Sequence, residues 1–147
     1  MRLTYHALVL AAGLAWPLLP WQLEAAPLRV KVITHPSRAS KLTDSEVRAI
    51  YLKQKRFWSD GQPIIPINRD AGSTARELFS EAIFGRESAR LAPYWNQRYF
   101  EAGEFPPATL ASEEAVIRFV AGNENAIGYV TGEGVGDSVA VILVLLP

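Results

Sequence analysis

The stretch IIPINRDAGSTARELFSEAIFG, residues 64–85, joins a short β-branched segment to an amphipathic helix through a polar turn. The segment from Ile64 to Asn68 is rich in isoleucine, which predicts a buried strand. Thr74 followed by Glu77 predicts a capping box, in which a hydroxyl and a carboxylate satisfy the free N–H groups of a helix start. The helix is then expected to end at Gly85. A strand that leads directly into a helix is the repeating unit of α/β folds.

The rest of the chain repeats this alternation. Further strands are predicted at 28–35, 125–130 and 138–147, and further helices from Thr43, around Tyr94 and from Ser112. The last strand is apolar at nearly every position, so we expect helices to cover both of its faces. The pattern predicts an α/β domain with a central mixed or parallel sheet flanked by helices.

The composition excludes several classes of function. Fifteen basic residues balance fifteen acidic ones, so no net field draws nucleic acid or a membrane surface to the chain. Cysteine is absent, which excludes disulfides, thiolate metal sites and cysteine nucleophiles. The two histidines, His6 and His35, are too few for a transition-metal site. We therefore predict no metal, no cofactor and no nucleic-acid partner.

Residues 1–25 have the pattern of an export signal. A positive start precedes an apolar run from Ala7 to Leu19, and Ala25 is a small residue suited to cleavage. The sequence therefore predicts a mature domain at 26–147 and a periplasmic location. A membrane anchor is the alternative, but the run is shorter than the roughly 20 residues that a spanning helix needs, and Pro17 interrupts it.

Residues 69–74 combine groups that bind oxyanions. The unpaired N–H groups at a helix start, together with the positive end of the helix dipole, form a ready anion site. Gly72 lets the chain turn closely, and Ser73 and Thr74 offer hydroxyl donors. Arg69 can direct two parallel hydrogen bonds at one oxyanion, and we expect it to lie exposed at a crevice mouth beyond the strand. The alternative is an ordinary capped turn without a ligand.

Several motifs follow one another in a distinctive order along the chain. After a capped helix they are WSDG at 58–61, RDAGST at 69–74, YW at 94–95 and AIGY at 126–129. In this order they resemble the phosphate-binding proteins of ABC importers, and more closely their small single-lobe relatives among exported bacterial proteins. The resemblance covers about residues 32–130. It implies a single periplasmic-binding-protein-like lobe that binds phosphate or a similar oxyanion.

The resemblance also implies ligand residues. In the family, an arginine followed four residues later by Ser-Gly-Thr at a helix start binds the phosphate, which points to Arg69 and Ser73. Thr74 stands where the family has glycine and Ala75 where it has threonine; alternatively, the glycine is lost and Thr74 serves as the threonine. Full-length members close two lobes over the anion, whereas this chain has the length of one. We therefore expect weak binding and fast release.

Two further residues are weaker candidates for the same site. Asp70 is placed to accept a proton from phosphate, although a carboxylate near an anion more often repels it. Ser37 follows the strand at 28–35 and would reach the crevice from there. No Gly-x-Ser-x-Gly elbow or P-loop lysine is present, and no histidine is placed to activate Ser73 or Thr74, so we predict no enzyme activity.

The predicted function is that of a periplasmic solute-binding-like protein for phosphate or a similar oxyanion, linked to phosphate ABC transport. Its expected protein partner is an ABC permease. The alternative is an interaction or sensing module of the cell envelope, with an envelope protein as partner, that kept the fold but lost the ligand. The missing second lobe and the lost glycine motivate this alternative.

Overall fold

A five-stranded sheet forms the centre of the computed structural model, which describes residues 27–146. Its strands are β1 (Val30–Thr34), β2 (Ile65–Arg69), β3 (Ala108–Leu110), β4 (Ala126–Val130) and β5 (Ala140–Leu145). They lie side by side in the order β3-β2-β4-β1-β5. β2 runs parallel to β3 and β4, whereas β1 is antiparallel to both of its neighbours. The predicted α/β class with a mixed sheet is confirmed.

The carboxyl end of the sheet is the end at which β2, β3 and β4 finish; the opposite one is its amino end. Because β1 runs against these strands, it begins at the carboxyl end, where Val30 pairs with Leu145, the last residue of β5. The chain therefore enters β1 and leaves β5 at the carboxyl end of the sheet. The export signal predicted for residues 1–25, with cleavage near Ala25, lies outside the described residues.

Helices cover both faces of the sheet. They are α1 (Asp44–Tyr51), α2 (Thr74–Phe84), α3 (Ala92–Ala102) and α4 (Glu113–Ala121), with short 3-10 helices at Pro36–Arg38 and Ser88–Leu91. Side chains from α1, α2 and α3 pack on one face, and those from α4 pack on the other. Within residues 27–146, no helix has the length and apolar character needed to cross a membrane.

The capping box predicted at the start of α1 is confirmed. Thr43 Oγ1 accepts a hydrogen bond from the Glu46 N–H at 3.2 Å, and the Glu46 carboxylate accepts one from the Thr43 N–H at 3.0 Å. At the other end of α1, the buried Tyr51 hydroxyl lies 3.0 Å from the Ile67 carbonyl, to which it donates, and 3.3 Å from the Ile127 carbonyl. One side chain thus attaches α1 to both β2 and β4.

The start of α2 differs from the prediction. Ser73, not Thr74, is the N-cap: its Oγ accepts from the Arg76 N–H at 3.2 Å, and its backbone is extended, with φ −71° and ψ 142°. Thr74 is the first helical residue, which places Glu77 one position too far along to bond back to the cap. The Glu77 carboxylate instead accepts from the Ser88 N–H at 3.1 Å. The capping box predicted for Thr74 and Glu77 is therefore wrong.

Aromatic rings and branched side chains form the core on the two faces. On the side of α1 to α3, the Phe79 ring stacks on Tyr129 with centroids 3.9 Å apart, and it lies 4.6 Å from the Tyr51 ring. On the other side, α4 approaches β4 so closely that a Cβ at Gly128 would lie 2.6 Å from Val116 Cγ1. Glycine is required there because any side chain would push α4 away from the sheet.

Two features of the sheet differ from the prediction. Among the described strands β5 lies at the edge and pairs only with β1, and Val141 and Val144 are 44% and 45% exposed, so the described helices do not cover both of its faces. That expectation was wrong because the composition of an apolar strand does not show whether the strand lies at the edge or at the centre of a sheet. β3 is a strand that the sequence pattern did not predict, since its three residues are too few to show an alternating pattern.

Candidate anion-binding site

The anion loop, residues 69–74, connects β2 to α2 at the carboxyl end of the sheet. Within it, the Ser73 N–H donates to the Asp70 carbonyl at 3.2 Å and closes a tight turn. Gly72 has a φ of 84°, a left-handed conformation that favours glycine. The turn leaves Gly72 and Thr74 exposed to solvent, with Ser73 half-buried between them. The loop therefore presents its backbone to an approaching ligand.

Two backbone donors remain unused where α2 begins. Among the residues of the described chain, the N–H groups of Thr74 and Ala75 donate to no acceptor, whereas the next one, that of Arg76, is bound to Ser73 Oγ. Unpaired N–H groups and the positive end of the helix dipole together attract an oxyanion. The exposed hydroxyl of Thr74 adds a further donor at the same place.

Arg69 is buried, contrary to the prediction of an exposed arginine at a crevice mouth. Its side chain is 11% exposed. Its Nε donates to the Leu110 carbonyl and its Nη2 to the Ala111 carbonyl, both at 3.2 Å. These carbonyls lie at the end of β3, so the guanidinium ties β2 to the neighbouring strand. They are 41 and 42 positions further along the chain, and no local sequence pattern reveals such partners.

Glu113, the first residue of α4, places a carboxylate beside this arginine. Its Oε1 lies 4.0 Å from Arg69 Nη1. The same carboxylate accepts from the N–H and the hydroxyl of Thr131, both at 2.6 Å, and from the Gly132 N–H at 2.9 Å. The Glu113 carboxylate thus links the start of α4 to the residues that follow β4. Sequence reasoning missed it, because an acid just after a helix cap is a common feature with many roles.

Asp70 supplies the second carboxylate near Arg69. Its Oδ1 lies 3.4 Å from Arg69 Nη2, and its side chain is 53% exposed. Within residues 27–146, Arg69 Nη1 makes no hydrogen bond, so it is the guanidinium nitrogen left for a ligand. An anion bound at this nitrogen would also meet the negative charges of Asp70 and Glu113.

A buried hydrogen-bond network holds the end of β2 in place. The Tyr129 hydroxyl accepts from the Arg69 N–H and donates to Asn68 Oδ1, both at 3.1 Å. Burial raises the pKa of Tyr129 to about 12, against the opposing influence of the Arg69 N–H and the Arg76 guanidinium. Arg76 Nη1 also donates to the Arg69 carbonyl at 3.0 Å. The backbone of Arg69 is thus bonded through both its N–H and its carbonyl, and the anion loop starts from a fixed position.

Ser37 lies at the amino end of the sheet, away from the anion loop. It follows β1, which runs against β4, so the end of β1 lies beside the beginning of β4. The neighbouring Arg38 donates from Nε to the Glu124 carbonyl at 2.7 Å, just before β4. Ser37 Oγ is 2.7 Å from His35 Nδ1. The structure does not bring Ser37 to the other candidates, because strand direction is not encoded in the local sequence.

Solved structures of phosphate-transport proteins share this fold. A Clostridium perfringens protein assigned as a phosphate ABC transporter substrate-binding protein, solved with bound phosphate, aligns with a TM-score of 0.62 and 26% identity over 77% of this chain. The resemblance to phosphate ABC transporter substrate-binding proteins is confirmed. An ABC-type phosphate transport receptor from Vibrio cholerae aligns with a TM-score of 0.60 and 19% identity over 77% of this chain.

The chain spans less than half the length of these phosphate-transport relatives, 43% of the first and 44% of the second. This coverage agrees with the predicted single periplasmic-binding-protein-like lobe. No family model matches the chain, and no curated protein matches it. The family resemblance therefore rests on the fold and on the ordered motifs.

Two grooves of the described surface are lined by no residue of the anion loop. One of about 310 Å³ lies around Phe57 and Ile64, and another of about 410 Å³ lies between α3 and Phe105. Ligand pockets normally bury most of the surface of their ligand. An anion at the open loop would therefore stay partly hydrated. Within the described range, no group of three or more His, Asp or Glu side chains is arranged to hold a metal ion.

Proposed function

We propose that this chain is a periplasmic solute-binding-like domain that binds phosphate or a similar oxyanion at the anion loop and serves phosphate ABC transport. The observation that carries the proposal is the junction of β2 and α2, where Arg69 Nη1 and the N–H groups of Thr74 and Ala75 make no hydrogen bond to any described residue. The phosphate bound to the Clostridium perfringens relative supports the choice of anion. No catalytic role is proposed.

Each group of the anion loop has a distinct role in this proposal. The N–H groups of Thr74 and Ala75 donate to the anion, and Arg69 Nη1 adds a charge-assisted hydrogen bond. Gly72 allows the close approach of the backbone. The Ser73 hydroxyl already caps α2, so Thr74 supplies the hydroxyl that the family motif takes from its threonine.

Asp70 gives the site a preference among oxyanions. An ionised carboxylate only accepts hydrogen bonds, so it favours hydrogen phosphate, which carries a proton, over sulfate, which carries none at neutral pH. Together with Glu113 it also neutralises much of the Arg69 charge. We therefore expect a dissociation constant in the millimolar range, equivalent to about −4 kcal/mol.

Calorimetric titration of the purified protein with phosphate and with sulfate tests this function. We expect phosphate to saturate at millimolar concentration and sulfate to bind more weakly. One lysine ammonium cannot replace both the bonds to the Leu110 and Ala111 carbonyls and the bond to the anion, so Arg69→Lys should weaken phosphate binding about tenfold. Ser37→Ala, at the amino end of the sheet, is the matched control and should leave binding unchanged. Failure of the folded protein to bind either anion would refute the proposal.

Export to the periplasm belongs to the same proposal, since solute capture for an ABC permease takes place there. The apolar segment at residues 1–25 motivates it. Mass spectrometry of the protein from a periplasmic extract should find a chain that begins at Ala26. An uncleaved chain recovered only from the cytoplasm would contradict the export step.

An exposed aromatic cluster favours a second function. Tyr99, Phe100 and Phe105 are 50%, 84% and 63% exposed, and the Tyr99 and Phe105 rings are 5.0 Å apart. Contiguous exposed aromatic side chains are typical of protein contact surfaces. In this alternative the chain is an envelope interaction or sensing module that kept the fold and lost its ligand. The bonds of Arg69 Nε and Nη2 to the Leu110 and Ala111 carbonyls support this loss.

Cross-linking in intact cells separates the two functions. The alternative expects a protein partner that is recovered with the wild type and lost with Phe100→Ser, together with no phosphate binding in the calorimeter. Glu81→Gln, exposed on α2 and not part of the groove between α3 and Phe105, is the control and should keep the partner. Equal recovery from Phe100→Ser and the wild type would remove the support for this alternative.

A further inference from the structure

In the part of the chain that the structure describes, β5 presents an uncovered edge to solvent. Val141, Val144 and Leu146 remain exposed in the folded chain. Because β5 has a neighbour on one side only within residues 27–146, alternate residues along its length direct about three N–H and three C=O groups outward. Unpaired backbone groups along an apolar strand are a template for pairing with another strand.

The other edge of the sheet is protected. β3 has only three residues, and Pro106 and Pro107 directly precede it. Proline has no N–H to donate, and a short edge strand offers few groups to a partner. The segment 138–146, which contains β5, has neither proline nor charge. The sheet therefore blocks pairing at one edge and leaves the other available.

The charges that flank β5 favour an antiparallel second copy as the partner. Asp137 lies close before the start of β5, and Arg29 directly precedes β1, next to the pair of Val30 with Leu145 at the far end of β5. An antiparallel arrangement about a two-fold axis brings Asp137 of each copy toward the Arg29 end of the other. A parallel arrangement would place like charges side by side.

We propose that two copies of this chain pair through β5, antiparallel about a two-fold axis, to form one continuous sheet with five strands from each copy. The pairing would satisfy on the order of six outward backbone hydrogen bonds and shield Val141 and Val144 from water. Because the copies point in opposite directions, their carboxyl ends face opposite sides of the joint sheet. Both anion loops stay open, so the pairing is independent of the proposed ligand.

Size-exclusion chromatography with light scattering measures this assembly. We expect the wild type at twice the mass of one chain. Val144→Lys should have the mass of one chain, because a lysine on the paired edge would have to lose its hydration. Thr109→Lys, on the β3 edge, is the matched control and should remain a dimer. A wild type that is monomeric at every concentration, or a folded Val144→Lys that remains a dimer, overturns the proposal.

Hydrogen exchange of the wild type gives a second readout that needs no variant. In the dimer, the outward N–H groups of β5 should be protected as well as its inward ones, and dilution should remove that protection. Outward N–H groups that exchange rapidly at all concentrations would overturn the pairing even if a dimer forms, because the contact would then lie elsewhere. This measurement keeps the test valid if Val144→Lys does not fold.

Discussion

Arg69 holds two neighbouring strands together, and the proposed function gives its guanidinium a second role as a ligand group. Nε and Nη2 are bound to the Leu110 and Ala111 carbonyls, and only Nη1 faces away from these bonds. The β2–β3 pair and the anion loop therefore depend on the same side chain. A substitution at this position is expected to affect both stability and binding.

Arg69→Ala should lower the free energy of unfolding by about 2 kcal/mol, because it leaves two carbonyls and a nearby carboxylate without their donor. Urea unfolding in phosphate-free buffer measures the loss. Arg69→Lys keeps the charge but not the fork and should lie between the wild type and Arg69→Ala. An unchanged unfolding midpoint for Arg69→Ala would show that the guanidinium is in solvent rather than on the β3 carbonyls.

Glu113→Gln should strengthen phosphate binding. Glu113 puts a negative charge 4.0 Å from Arg69 Nη1, the nitrogen proposed to hold the anion. Like charges about 4 Å apart repel each other by about 1 kcal/mol in water, so removal of this charge should raise the affinity by at most about fivefold. Glutamine keeps an acceptor oxygen for Thr131. Phosphate titration measures the change, and Glu124→Gln at the amino end of the sheet is the control. Equal or weaker binding by Glu113→Gln would mean that the anion does not lie near Nη1.

At the scale of the helix, the position of the cap decides which hydroxyl matters for stability. Ser73→Ala removes the acceptor of the Arg76 N–H and should lower the free energy of unfolding by about 1 kcal/mol. Thr74→Ala should change stability little, because Thr74 is the first helical residue and is exposed. Chemical unfolding of the two variants makes the comparison. If Thr74→Ala loses more stability than Ser73→Ala, then Thr74 and not Ser73 is the N-cap residue.

Sequence patterns predicted the elements whose determinants are local. The capping box of Thr43 and Glu46 lies within four consecutive residues and could be read directly. β3 could not, because a three-residue strand has no period of its own. The exposed edge of β5 could not be predicted either, since the sequence does not state which strands pair. Within the candidate site, local chemistry was enough to select Arg69 and Ser73. The contact of Glu113 with Thr131 could not be predicted, because it joins separate elements of the fold.

Two buried tyrosines couple the stability of the whole domain to alkaline pH. Burial raises the pKa of Tyr129 to about 12 and that of Tyr51 well above its usual value. The pKa of a tyrosine in the unfolded chain is about 10, so above that pH the unfolded chain loses protons that the folded chain keeps. The stability that is present below about pH 10 should therefore fall as the pH rises through about 12.

Tyr129→Phe should make this alkaline loss of stability smaller, because Tyr51 is then the one described tyrosine with a raised pKa. The same variant should be less stable than the wild type at neutral pH, since the Asn68 side chain and the Arg69 N–H lose a partner. Urea unfolding at a series of pH values measures both effects. Tyr99→Phe, a half-exposed position, is the control. If the free energy of unfolding of the wild type and of Tyr129→Phe depends on pH in the same way, Tyr129 does not cause the alkaline loss of stability.

The direction of β1 has a practical consequence for how binding is measured. The described chain enters β1 and leaves β5 on the side of the sheet that carries the anion loop. An affinity tag, a fluorescent fusion or a sensor surface joined at either terminus would crowd that loop and lower the apparent affinity. The chain has no cysteine, so Ser59→Cys would create a unique attachment point beside Asp60, which is bound to Arg38 at the amino end of the sheet. A protein immobilised through it would present the loop to the solution.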